Sequence, residues 1–199
     1  MEIATLPGAV SRQLLNMDGA VRKAVLPYRR NLAVKALSWF SEVGDQPQMR
    51  ALCAGYIAIG LLRADARMVR AGSRMLVSHE LATAAKSFIK HRVDRSRPRS
   101  AARRSDEALR PGHSSEKEES SFPSGHSAGA MAVASAFAAD YPRFSAPAYG
   151  AAGAVALAQI PRCAHYPTDV GAGLLIGAGA GALVRITAGA AFAAWVRKR

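Results

Sequence analysis

The stretch Val170–Val196 limits the possible folds more than any other part of this sequence. It consists mostly of Gly, Ala and large aliphatic residues, and about 20 such residues suffice to cross a ~30 Å hydrocarbon layer. Three shorter apolar blocks precede it, at Ala51–Leu62, Ala128–Ala139 and Ala146–Ile160. Together they predict an all-α protein, a polytopic transmembrane bundle of about five to six helices. The competing reading, buried helices of a soluble α-protein, also accommodates blocks this short. Gly171, Gly173, Gly177, Gly179 and Gly181 would let neighbouring helices approach the last one closely. The length of 199 residues is that of a single domain, 1–199.

Breaks and charges place the remaining elements. Pro161 and Tyr141-Pro142-Arg143 interrupt the C-terminal blocks, and Val43-Gly44-Asp45-Gln46-Pro47 ends a short helix predicted over Asn31–Glu42. Residues 1–31 carry Arg12, Arg22, Lys23, Arg29 and Arg30 and read as a basic interfacial segment on an anionic surface. No apolar signal region follows the start, so a cleaved signal peptide is not expected. Residues 99–121 are polar, rich in Ser and without apolar period, a mobile loop by composition. Arg63, Arg67, Arg70 and Arg74 form one helical stripe, either a solvated face or a headgroup contact. Cys53 and Cys163 lack the spacing of a disulfide framework or zinc site.

A formal charge of +13 calls for anionic partners. With only 7% aromatics, none interleaved with the bases, the chain offers no stacking platform, which argues against nucleic acid and for membrane lipid or phosphorylated substrates. Alternating helices bring the Arg63–Arg74 stripe, Arg143 and Arg197–Arg199 to one face, cytoplasmic by the positive-inside tendency. The cluster Lys90–Pro98, His126 and His165 then share the extracytoplasmic face, where such a cluster is out of place unless it does chemistry.

Ser121-Phe122-Pro123-Ser124-Gly125-His126 gives that chemistry a centre. Pro123 stops the preceding chain, Ser124 is a good N-cap, and Gly125 lets a ligand approach the first free amides of the next helix. A helix start of this kind attracts phosphate.

Lys90, Arg97 and Pro98, then Pro123-Ser124-Gly125-His126, then His165 and Asp169, resemble in order the three-part signature of the type 2 phosphatidic acid phosphatase superfamily. That superfamily includes membrane lipid phosphatases, bacterial acid phosphatases and vanadium haloperoxidases. The Ser-Arg pair that opens the family's third part is Ala158-Gln159 here, and the nearest arginine, Arg162, lies one helical turn closer to the histidine. The resemblance covers residues 45–190. It implies a phosphate cage made by Lys90, Arg97, Arg162 and the amides at Ser124 and Gly125. It also implies that His165 attacks phosphorus to form a phosphohistidine, that His126 protonates the leaving oxygen and then activates water, and that Asp169 holds the His165 ring N–H. No metal and no cofactor is expected, and the sequence shows no carboxylate cluster to hold one.

The resulting expectation is a metal-independent membrane phosphatase of the bacterial inner membrane. Its substrate is a lipid phosphate or pyrophosphate of the polyprenyl pyrophosphate or phosphatidate type. Alternatives are a phosphotransferase or soluble-type acid phosphatase of the same fold, or a non-catalytic binder of anionic lipid. Taken singly, Lys90 reads as a snorkelling lysine, Ser124 as a cap only, His79 as a packing residue, and His91 and His113 as solvated. Arg92, Arg95 and Arg99 flank the signature and are expected at headgroups or in solvent.

Overall fold

The computed structural model describes residues 8–101, 107–114 and 116–196, with side chains from Arg12 to Ala188. The expectations for Arg197–Arg199 and for part of the 99–121 loop lie outside the described residues. Seven α-helices occur among those described: α1 Gly8–Val25, α2 Leu32–Ser41, α3 Gln46–Leu62, α4 Ala66–Lys90, α5 Gly125–Asp140, α6 Ser145–Leu157 and α7 Pro167–Val196. Helices α3 to α7 pack into a bundle, α1 lies against α7, and α2 lies against α6.

Helix α5 is the axis of the bundle and packs against α3, α4, α6 and α7. Its sequence explains this, because a helix that is small and apolar all round has no face to offer water. Buried residues lie on every side of it, among them Ser127, Ala128, Gly129, Ala132 and Ala136. Three of the six glycines of α7 face α5. A Cβ at Gly173 would lie 2.5 Å from the Ser124 carbonyl oxygen, one at Gly181 2.5 Å from Ser135 Cβ, and one at Gly177 would overlap the Ala128 carbonyl oxygen. Gly171 and Gly179 face open space. The close-packing seam is therefore Gly173, Gly177 and Gly181, at four-residue spacing.

Only Pro167–Ala188 is long and apolar enough to cross a membrane by itself among the described residues. Outward-facing Leu52, Ile59, Val77, Phe88, Leu175 and Ile186 continue an apolar exterior around the bundle.

The arginine stripe behaves differently from either expectation. The chain turns at Ala64, which has φ of 50°, so Arg63 precedes α4 and only Arg67, Arg70 and Arg74 lie on it. All three converge on Asp140 at the end of α5. Arg70 Nε meets Asp140 Oδ1 at 2.8 Å, Arg74 reaches both carboxylate oxygens at 3.0 Å, and Arg67 donates to the Asp140 main-chain oxygen. One buried carboxylate thus gathers the stripe at the end of the bundle opposite Lys90.

The polar segment after α4 carries more structure than its composition predicts. A two-stranded antiparallel ladder pairs β1 Val93–Asp94 with β2 Arg110–Pro111, and Arg95 bridges to Ser120. Arg99 and Glu118 form an ion pair at 2.5 Å. The N-terminal segment likewise turns charge inward, since Arg22 Nε donates to the Pro98 carbonyl oxygen at 2.7 Å and its guanidinium also reaches Ala101.

Candidate active site

The N-terminal end of α5 forms the floor of a cavity of about 200 Å³. Ser124 caps the helix with extended backbone, φ −69° and ψ 117°, and its hydroxyl accepts from the Ser127 amide. That hydroxyl also takes the Ser127 Oγ proton at 2.8 Å, so Ser124 acts as a cap and does not line the cavity. By helix geometry the amides of Gly125 and His126 have no intrahelical acceptor. Both residues line the cavity, with Lys90, Arg97, Arg162 and His165.

Lys90 and Arg97 are each aimed by backbone oxygens. Lys90, the last residue of α4, donates to the Ser120 carbonyl. Arg97 donates from Nε to the Lys117 carbonyl oxygen at 2.8 Å and from its fork to that of Ala164 at 3.3 Å. Burial draws its guanidinium below the usual value. Arg162 enters the same cavity, yet its fork is engaged there by Ser41 Oγ at 2.6 Å and Glu42 Oε1 at 2.7 Å. Although burial pulls the Glu42 carboxyl upward, the bond and charge of Arg162 hold it below the usual carboxylate range.

A tight turn delivers His165. The Ala164 and His165 amides both donate to the Gln159 carbonyl oxygen, at 3.1 and 3.3 Å, with Cys163 at φ 53° just before them. The buried ring places Nδ1 2.7 Å from the Ser121 carbonyl oxygen and 3.8 Å from Asp169 Oδ2. The hydrogen bond that the family resemblance assigns to Asp169 is thus made by Ser121. A carbonyl only accepts, so Nδ1 carries the proton and Nε2 keeps its lone pair. Asp169 stands behind this pair. Its Oδ2 accepts from Ser121 Oγ at 2.5 Å and from the Tyr166 amide at 2.8 Å. Burial drives the His165 pKa down to about 4, opposed by the Asp169 carboxylate and reinforced by Arg97 and Lys90.

These positions place the three separated sequence segments on one cavity in one helical bundle. The sequence profile of the PAP2 superfamily matches residues 71–193, more than half of the chain and the whole of that constellation. The chain belongs to the PAP2 superfamily. Its fold is shared with the crystal structure of Aquifex aeolicus LpxE, at TM-score 0.58 and 20% identity over 92% of this chain and 98% of that one. It is shared also with the crystal structure of the first transmembrane PAP2 type phosphatidylglycerolphosphate phosphatase from Bacillus subtilis, at TM-score 0.60 and 22% identity over 90% and 86%. No curated protein matches the sequence significantly.

As a PAP2 protein the chain departs from the pattern at Gln159, which is fully buried and lines the cavity where the family has arginine. Its Nε2 donates to the Val155 carbonyl oxygen at 3.0 Å, and its Oε1 has no protein partner. Around it stand six cationic side chains, Lys86, Lys90, Arg97, Arg99, Lys117 and Arg162, against two carboxylates, Glu42 and Asp45. That excess suits a ligand of more than one negative charge.

Several of these residues escaped the sequence reading. Lys86 has its Nζ 3.3 Å from where a Cβ on Gly125 would be, over the α5 N-terminus. Its signal was present, since Lys86 is one helical turn before Lys90 on the same face. Arg99 lines the cavity and is not free in solvent. Arg95, expected at headgroups or in solvent, is instead fully buried and paired with Asp18 and Asp169. Only its acidic partners, distant in sequence, make burial of its charge tolerable. A carboxylate cluster, not foreseen either, exists: Glu42, Asp45 and His126 bring ligand atoms within 4.8 Å of one another. There Asp45 Oδ1 faces His126 Nε2 at 3.2 Å, while Glu42 is paired with Arg162.

Proposed function

We propose that this chain is a membrane phosphatase that hydrolyses a lipid phosphate or pyrophosphate through a phosphohistidine on His165. The observation that carries the reading is the shared cavity, in which a neutral His165 with a free Nε2, a second histidine and a cationic cage meet at a helix N-terminus. In the first step Nε2 of His165 attacks phosphorus in line, the bond to the leaving oxygen breaks, and His126 supplies the proton that oxygen takes up. In the second, His126 accepts a proton from water, the water oxygen attacks phosphorus, and the P–N bond breaks to release phosphate and restore His165. Lys90, Arg97, Arg162 and the amides at Gly125 and His126 balance the charge on the equatorial oxygens. Each step uses this chain's own side chains, which makes the proposed reaction metal-independent.

An apolar groove supports a lipid substrate. It has a volume of about 420 Å³, lies between α2, α3, α5 and α6, and is lined by Val43, Met49, Leu52, Phe137 and Val155 among others. It adjoins the cationic cavity directly, because Gly44 lines that cavity and a Cβ there would lie 2.5 Å from Val155 Cγ1 and 3.3 Å from His126 Cδ2. A prenyl or acyl chain in the groove thus brings its phosphate to the histidines. The apolar exterior and the placement of Arg67 and Arg70 at the far end support insertion in a bacterial inner membrane with the cavity on the extracytoplasmic face.

The deciding experiment measures phosphate release by detergent-solubilised protein across polyprenyl pyrophosphates, phosphatidate and phosphatidylglycerol phosphate, with 32P trapping on histidine. Release by the wild type and none by His165→Ala supports the proposal. Equal release by both removes it, and lipid binding without release favours the non-catalytic reading.

A further inference from the structure

A second layer of buried charge lies behind the cavity. The Arg95 guanidinium stacks on the Tyr166 ring, 4.0 Å from its centroid, and is almost wholly removed from solvent. One fork nitrogen donates to Asp169 Oδ1 at 2.5 Å and to Thr168 Oγ1 at 2.8 Å, the other to Asp18 Oδ2 at 2.7 Å, and Nε to the Glu107 carbonyl oxygen at 2.7 Å. Asp18, on α1, is equally buried. Its Oδ1 accepts from the Thr168 amide at 3.1 Å and its Oδ2 from the Thr168 hydroxyl, so the same carboxylate caps the start of α7.

Two carboxylates therefore share one guanidinium, and the second of them, Asp169, also takes the Ser121 hydroxyl. The Ser121 carbonyl in turn takes the His165 Nδ1 proton. Every link is buried, where a misplaced charge is expensive and geometry is correspondingly rigid. We propose that Asp18 is a positioning residue for His165, acting through Arg95 and Asp169, so that α1 forms part of the catalytic apparatus. This rests on the phosphatase reading above.

The order of links sets the consequences of breaking them. Without the Asp18 charge, Arg95 loses one of its two anionic partners, and its full field falls on Asp169 and the imidazole beyond. Without the Arg95 charge, Asp169 is left unpaired beside the ring. Other charged and titratable groups on the cavity that His165 lines are Lys86 and Lys90 on α4, Arg97, Arg99 and Lys117 in the segment after it, His126 on α5, Arg162, and Glu42 and Asp45 ahead of α3, and none changes in these variants.

The test compares full-length wild type, Asp18→Asn, Arg95→Gln and the double variant in detergent, with kcat, KM and the pH profile of kcat on a lipid phosphate that the wild type hydrolyses. Each single variant is expected to lose about tenfold to hundredfold in kcat at unchanged KM, as loss of an outer partner of an oriented histidine typically does. The double variant loses no more than Arg95→Gln alone, because both act along one path. The acid limb of kcat moves to lower pH in Asp18→Asn and to higher pH in Arg95→Gln. A uniform loss of kcat with the acid limb unmoved is what a purely structural role produces, and it overturns the inference, as does wild-type kcat in Asp18→Asn. A wild type that hydrolyses no lipid phosphate removes the phosphatase reading and the inference with it.

Discussion

Nδ1 of His165 donates to the carbonyl oxygen of Ser121 at 2.7 Å, and the carboxylate four residues along, Asp169, stands 3.8 Å off. A main-chain oxygen has no protonation state of its own in the working range, so the tautomer of this imidazole is held wherever the ring is neutral. The carboxylate instead secures the Ser121 hydroxyl and the Tyr166 amide, the frame around that oxygen.

Activity should therefore persist into acid. With its pKa near 4 the ring of His165, the proposed nucleophile, stays neutral through the neutral range, and kcat is expected to fall only as pH drops toward about 4. The folded value lies below the ordinary ~6.5, so His165 takes nothing from stability above pH ~6.5. Between there and about 4 the unfolded chain binds a proton that the native ring refuses, and stability declines. Thermal denaturation and kcat measured from pH 3.5 to 8 check both, and His165→Ala should lower activity by about 10⁴-fold or more. An acid limb near 6.5 would place a charged, solvated ring at this position instead.

Arg162 and Glu42 are paired at 2.7 Å on the cavity wall, so a phosphate entering it competes with a carboxylate for this guanidinium. Arg162→Ala is expected to raise KM by about tenfold or more, the scale of a charge-assisted bond. Glu42→Gln should lower KM by releasing the fork. Initial-rate kinetics on one lipid phosphate check the pair, and an unchanged KM in Arg162→Ala would assign the residue to bracing Ser41 and Glu42 alone.

The groove beside the cavity predicts a split between substrates. Leu52→Trp narrows the groove from α3, at a half-exposed position that does not line the cationic cavity. Turnover of a long-chain lipid phosphate should drop by about tenfold or more while a short, water-soluble phosphate ester is hydrolysed as before, since only the former uses apolar burial. Equal losses on both would detach the groove from substrate binding.

Glycines of α7 should divide into two classes. Gly173→Ala and Gly177→Ala drive a methyl group into the α5 backbone and are expected to lose about 1–3 kcal/mol, the cost of overpacking. Gly171→Ala and Gly179→Ala meet nothing within 4 Å and should be neutral or slightly stabilising. Melting temperatures in detergent check the ranking.

The sequence alone placed the starts of α5 and α7, but not α1 or the break at Ala64 between α3 and α4. Ser124 before Gly125, the break at Pro142 and the start at Pro167 are local signals, and the observed α5 and α7 begin where they indicate. The order Lys90, Arg97, then His126, then His165 likewise marked the residues that gather on one cavity, because residue type and spacing are written along the chain. Tertiary structure alone decided what stands behind them. Arg95 looked like a surface base because nothing near it in sequence announces Asp18 or Asp169 as partners, and Ser121 offers its carbonyl, an atom every residue has. Which glycines of α7 touch α5, and that Arg67, Arg70 and Arg74 meet on Asp140, depends on how helices rotate against one another. Local pattern fixes periodicity, whereas pairing between distant segments is set only when the bundle closes and each buried charge must find its counter-charge.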